Sequence, residues 1–142
     1  IRRQRQMCIR DRVTGDLALL HDTNGWLFSK DKNISLIVIM IDNGGGGIFN
    51  QLNIDRIEEG DFEEIFLMPQ QVCHLTLAKA YGLKYKQVAC LDDLEKAIEW
   101  SFSLSTNVLI RVCTNSIEDH RLRVNLSDDL KKTLSENLSS FD

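Results

Sequence analysis

Two oxygen-bearing side chains stand out in this sequence: Asp16, directly after Gly15, and Asn43, 27 positions further on. A carboxylate and a side-chain amide are both hard oxygen donors of the kind magnesium prefers, with water and phosphate oxygens completing an octahedron. Asn43 is followed by four glycines, Gly44 to Gly47. Backbone without Cβ atoms can approach a bulky anion closely and offer a carbonyl as a further ligand. A helix opening at Asp16 would aim its free N–H groups and positive dipole end at the same place. Each residue alone has a plainer use, Asp16 as a helix N-cap and Asn43 as a turn residue. Together they suit a metal-bridged diphosphate.

Other phosphate motifs fit poorly. A P-loop ends in Gly-Lys-Ser/Thr, whereas Gly47 is followed by Ile48 and Phe49. The dinucleotide fingerprint needs glycine at its first, third and sixth positions. Counted from Gly44 the sixth is Phe49, and from Gly45 it is Asn50.

The remaining polar candidates have simpler roles. His21 and Asp22 suit solvated or capping positions, and His120 lies in a charged helical stretch. Cys73 and His74 are neighbours in a helical pattern and point in different directions, so they are not a catalytic pair. The acidic residues from Glu58 to Glu64 read as a solvated loop, and Arg111, inside a strand pattern, as a partner for a nearby carboxylate.

The elements that must position Asp16 and Asn43 alternate between helix and strand. A helix is expected over Leu17–Lys30, with Leu20 and Leu27 on one face and Leu19 and Trp26 flanking it. Ile34–Ile41 is apolar and β-branched throughout, as in a parallel strand covered on both faces. Residues 50–70 suit a long functional loop with short helical pieces. A helix over Gln71–Tyr81 is ended by Gly82, and Lys84–Ala89 forms a short strand. Asp92 and Glu95 resemble a capping box opening a helix to Ser103, with Leu94, Ile98 and Phe102 inward. Asn107–Thr114 is a strand, and Ser127 caps a last helix ending near Leu138. Strand–helix alternation of this kind predicts a parallel, doubly wound α/β sheet, in which ligands bind at the C-terminal strand ends. Gly15–Asp16 and Asp42–Asn43 both fall at such ends and are expected to face one another.

With 142 residues, 43% hydrophobic and 27% charged, the chain suits one compact domain. The longest apolar run, Ile34–Ile41, is too short to span a bilayer. Cys8, Cys73, Cys90 and Cys113 form no CxxC pair, as expected of free thiols in a reducing, cytoplasmic setting. Residues 1–12 carry five arginines against Asp11 alone. Without interleaved aromatics and joined to an acidic body, this arm is not expected to bind nucleic acid. It has neither helical nor strand periodicity and reads as a non-native leader outside the fold, leaving residues 13–142 as the domain.

The segments GDLALLHDTNG, IDNGGGGIFNQL, LMPQ and LAKAYGLKY carry a resemblance. Gly15-Asp16 with Asn43 resembles the GDG…NN signature of thiamine-diphosphate enzymes. The finer pattern is similar to the 2-succinyl-5-enolpyruvyl-6-hydroxy-3-cyclohexene-1-carboxylate synthase family, without gaps from Val13 to about Leu52 and more loosely to about Thr114. The resemblance implies the cofactors thiamine diphosphate and magnesium. It makes Asp16, Asn43 and the Gly45 carbonyl magnesium ligands. It puts Gly15, Leu17 and Gly44 beside the cofactor, and Ile48, Phe49 and Leu52 in the cofactor and substrate pocket. Leu17, in place of the general signature's second glycine, is the family's own habit. Gly44 stands where the family often has Asn or Asp. Asp42 stands where asparagine is usual, adding negative charge beside the diphosphate unless it points away.

The implied reaction decarboxylates 2-oxoglutarate and adds the resulting succinyl unit to isochorismate, in menaquinone or phylloquinone biosynthesis, within a homo-oligomer. The glutamate that activates the cofactor and the substrate-clamping basic residues are expected upstream of Gly15, where only Val13 and Thr14 remain of a strand. The isolated chain is therefore expected to anchor the diphosphate and magnesium but to be inactive. Two other readings stay open: another thiamine-diphosphate decarboxylase or acetolactate-synthase-like enzyme, and a non-catalytic nucleotide-binding α/β module.

Overall fold

The computed structural model of the chain describes residues 9–30, 35–52 and 59–138. Four parallel strands form one sheet: β1 (Ile9–Gly15), β2 (Ser35–Asp42), β3 (Lys84–Val88) and β4 (Val108–Cys113), in the order β1-β2-β4-β3. The central pair, β2 and β4, is covered on both faces, which is why β2 reads as an unbroken apolar run. On one face Val38, Met40 and Leu109 pack with Leu19, Trp26, Ala78 and Leu83. On the other, Ile37, Val108 and Ile110 pack with Val88 and Ala97. The doubly wound parallel α/β fold expected from the element order is the fold observed.

The first face is covered by α1 (Asp16–His21), a 3₁₀ segment (Thr23–Lys30) and α3 (His74–Ala80). A single helix through Lys30 is not formed. Thr23-Asn24-Gly25 are weak helix formers, and the Thr23 hydroxyl bonds back to the Leu20 carbonyl at 3.1 Å. The break turns the inward face to Leu19 and Trp26, leaving Leu27, expected inside, 67% exposed.

The second face is covered by α4 (Leu91–Phe102), which starts at Cys90 with no side-chain cap, so the capping box of Asp92 and Glu95 is not realised. Leu94 and Ile98 pack inward as expected, but Ala97 and Ser101 are the buried positions and Phe102 is exposed. The long connection after β2 holds a 3₁₀ turn (Gly47–Gln51), α2 (Glu59–Phe62) and a π-helical turn (Glu63–Leu67). Helix α3 begins three residues beyond Gln71 and ends before Gly82, whose φ of 77° suits glycine alone. The last helix, α5 (Ser116–Leu138), is continuous, with Ser127 inside it. Its cap is Asn115, whose Oδ1 accepts from the amides of Ile117 (3.0 Å) and Glu118 (3.1 Å).

Strand β1 extends back beyond Val13 and Thr14. Ile9–Arg12 continue the parallel ladder, Ile9 opposite Ser35 and Arg12 opposite Val38. An edge strand is held through its backbone, so residues without an apolar alternation can still extend it. Residues 1–8 of the arm, Ile34 and Glu58 lie outside the described residues.

Candidate metal and diphosphate site

The register of β1 on β2 builds the site. Gly15 lies opposite Ile41, so Asp16 and Asp42, each one step further, emerge side by side at the C-terminal strand ends. Along β2, Val38, Met40 and Asp42 share one face by strand alternation, and Leu109 and Arg111 share that face of β4. The apolar core therefore gives way at its upper edge to Asp42 and Arg111. Helices α1 and α3 bring Asp16 and His74, their first residues, to the same place.

Asp16 is only 5% exposed. Its Oδ1 accepts the Leu17 amide at 2.9 Å. Burial raises its pKa above the ordinary carboxylate value, the Asp42 charge adds to this, and the amides of Leu17 and Gly45 act against it. No cationic side chain pairs with Asp16 among the described residues.

Asp42 is equally buried and has the opposite balance. Burial pushes its pKa up, but the hydrogen bond and charge of Arg111 outweigh it, helped by the Gly44 amide and His74, and hold it below the ordinary value. Arg111 Nε donates to Asp42 Oδ2 at 2.6 Å, and Gly44 N to Oδ1 at 3.2 Å. His74 Nδ1 lies 3.9 Å from Oδ2, and its Nε2 is buried without a partner. Arg111 Nη1 reaches Gln87 Oε1 at 3.1 Å.

Asn43 is half-buried, its amide nitrogen so close to Gly47 that a Cβ there would overlap it. Gly44 and Gly45 take φ values of 83° and 127°. Gly45 and Gly46 are required by the packing of the chain itself. A Cβ on Gly45 would overlap the Leu67 carbonyl oxygen, and one on Gly46 that of Phe66. Gly46 N also donates to Leu67 O at 2.6 Å. The glycine run is thus packed against the backbone of the π turn, while Gly44 and Gly15 have open space around their Cβ positions. Ile48, Phe49 and Leu52 are all exposed rather than in the core, and Phe49 meets Phe66 edge-on at 5.4 Å.

Of the polar residues set aside from the site, Arg111 does pair with a carboxylate, and that carboxylate is Asp42. His74 does not pair with Cys73 but reaches Asp42. Asp42 does not point away: it stands beside Asp16 with its charge answered. Strand alternation puts 38, 40 and 42 with 109 and 111 on one face only once the strand order is known, and nothing in the sequence pointed to His74. Asp22, at the C-terminal end of α1, pairs with Arg12. No group of three His, Cys, Asp or Glu side chains among the described residues is arranged to hold a metal ion. A metal here would thus rest on one carboxylate with amide and carbonyl oxygens, the donor types that Asp16, Asn43 and Gly45 carry. A buried carboxylate beside a second carboxylate, with no cationic side chain paired to it among the described residues, fits a divalent ion.

A parallel α/β sheet with this acidic site at its strand ends has the fold of the thiamine-diphosphate-dependent decarboxylases. The 4-hydroxybenzoylformate decarboxylase of Rhodococcus jostii RHA1 superimposes with a TM-score of 0.61 over 74% of this chain and 19% of its own, at 21% identity. The benzoylformate decarboxylase of Polynucleobacter necessarius gives 0.57 over 75% of this chain, also at 21% identity. In sequence, the chain is 99% identical over 130 residues to a 2-succinyl-5-enolpyruvyl-6-hydroxy-3-cyclohexene-1-carboxylate synthase of Prochlorococcus marinus strain NATL2A, covering 92% of this chain and 22% of that protein. A synthase of the same name from Synechococcus sp. strain CC9311 is 48% identical over 123 residues, covering 87% of this chain and 21% of that protein. The chain belongs to the 2-succinyl-5-enolpyruvyl-6-hydroxy-3-cyclohexene-1-carboxylate synthase family, and it spans about a fifth of the length of the curated relatives it matches. No protein-family model matches it.

Proposed function

We propose that this chain is the part of such a synthase that anchors the diphosphate of thiamine diphosphate through a magnesium ion. The parent reaction is decarboxylation of 2-oxoglutarate and transfer of the succinyl unit to isochorismate, in menaquinone or phylloquinone biosynthesis. The observation that carries this reading is Asp16: a buried carboxylate beside a second carboxylate, without a cationic partner among the described residues, at paired strand ends.

Asp16 would supply the charged metal ligand, with the Asn43 side chain and the Gly45 carbonyl completing the protein's share. Gly15, Leu17 and Gly44 would line the cofactor. Ile48, Phe49 and Leu52 offer the apolar surface against which cofactor and substrate would lie. Thiamine diphosphate, when bound, provides the carbanion-stabilising chemistry, and these residues hold and orient it. We place the parent protein in the cytoplasm as a homo-oligomer. No helix among the described residues is long and apolar enough to cross a membrane.

Calorimetric titration with thiamine diphosphate, with and without magnesium, tests the reading on wild type and Asp16→Asn. Binding that requires the metal and is lost in Asp16→Asn is expected. Metal-independent binding, or equal affinity in the variant, would instead favour a nucleotide-binding module.

A further inference from the structure

Both oxygens of Asp42 are held by fixed donors, Arg111 Nε on Oδ2 and Gly44 N on Oδ1. Arg111 is itself steadied by Gln87 from the next strand, so three adjacent strands fix its guanidinium. Its neighbour Asp16 accepts the Leu17 amide and lies within hydrogen-bond reach of Asp42, but no cationic side chain pairs with it among the described residues. The two carboxylates thus differ: one is tied back, and the other is free to take a metal. Two free carboxylates would hold a bare divalent ion more tightly, but would repel the diphosphate it must carry.

Resting on the metal reading above, we propose that Arg111 is a positioning residue. It ties back and neutralises Asp42, so that Asp16 alone of the two carboxylates ligates the ion and the site accepts a diphosphate.

The test is a double-substitution cycle in the full-length synthase carrying this segment. Free Mn2+ is counted by electron paramagnetic resonance, thiamine diphosphate binding is followed by calorimetry at saturating Mn2+, and melting curves are recorded alongside. Arg111→Gln should bind bare Mn2+ about tenfold more tightly and thiamine diphosphate about tenfold more weakly. In the Asp42→Asn background the same substitution should change either affinity by less than about threefold. Parallel weakening of both ligands, or equal effects in both backgrounds, overturns the proposal.

Asp42→Asn alone keeps the proposal testable should Arg111→Gln not fold. It should leave Mn2+ affinity within about threefold of wild type, because Asp42 is not a ligand. A loss of about tenfold or more would make Asp42 a ligand and end the proposal. Unchanged Mn2+ binding in Asp16→Asn would instead remove the metal reading beneath it.

Discussion

Asp16 and Asp42 stand side by side at the ends of neighbouring parallel strands, both less than a tenth exposed, yet only Asp42 has a cationic partner among the described residues. Ionising Asp16 therefore carries a cost, since burial and the Asp42 charge both oppose it. Without metal, Asp16→Asn should raise the melting temperature, by roughly 2–5 °C. With magnesium and thiamine diphosphate present, the wild type should gain stability and the variant should not. Thermal melts of both proteins, with and without the ligands, check this. A variant that melts lower than wild type in the absence of metal would show Asp16 to be a structural residue.

The glycines divide by what surrounds them. Gly45→Ala combines a left-handed backbone with overlap on the Leu67 carbonyl and should cost about 3 kcal/mol or more. Gly44→Ala meets open space and carries only the backbone strain, about 1 kcal/mol. Gly15, at a φ of −81° with open space, should tolerate alanine almost without loss. Urea unfolding of the three variants gives the order. Equal losses at 44 and 45 would remove the packing of the glycine run on the π turn as the reason for its composition.

The apolar run of β2 was legible because a strand covered on both faces has one signature. The glycine run was legible as a special backbone but not in its partner. Leu67 and Phe66 meet it through carbonyl oxygens, and a backbone contact leaves no trace in side-chain types. Leu27 was misplaced because a 3.6-residue period was carried through Thr23-Asn24-Gly25, where the chain tightens into a 3₁₀ segment. The pairing of Arg111 with a carboxylate could be read from its place in a strand. Which carboxylate could not, since that needs the order β1-β2-β4-β3.

Asp42 makes the fold sensitive to acid. Its pKa is lowered on folding, so its contribution is complete above the unfolded carboxylate value of roughly 3.9 and disappears as pH falls through the lowered folded value. Asp16, raised on folding, has the opposite sign: it favours the fold at low pH, and that advantage is lost as pH rises through its raised value. Asp42→Asn should therefore lose roughly 1–3 kcal/mol at neutral pH, where it leaves Arg111 without its carboxylate, and much less at pH 2. Urea midpoints between pH 2 and 7 test this. A deficit that is the same across the range would mean that packing, not charge, is what Asp42 contributes.

Cys73 sits just before α3, exposed, with its sulfur accepting the Thr76 hydroxyl at 3.2 Å. That hydroxyl is the largest influence on it. The Thr76 and Leu75 amides and the Arg111 charge act in the same direction, so the thiol ionises below its usual 9.0. The thiolate is the reacting form, so alkylation of Cys73 by iodoacetamide should reach half its limiting rate at a pH below that value. Thr76→Val, which keeps the side-chain shape and removes the hydroxyl, should move the midpoint up and slow the reaction at neutral pH. Mass spectrometry of the peptide containing Cys73 follows the rate separately from the other thiols. If Thr76→Val leaves the midpoint unchanged, the hydroxyl bond is not what favours the thiolate, and the amides at the start of α3 must be credited instead.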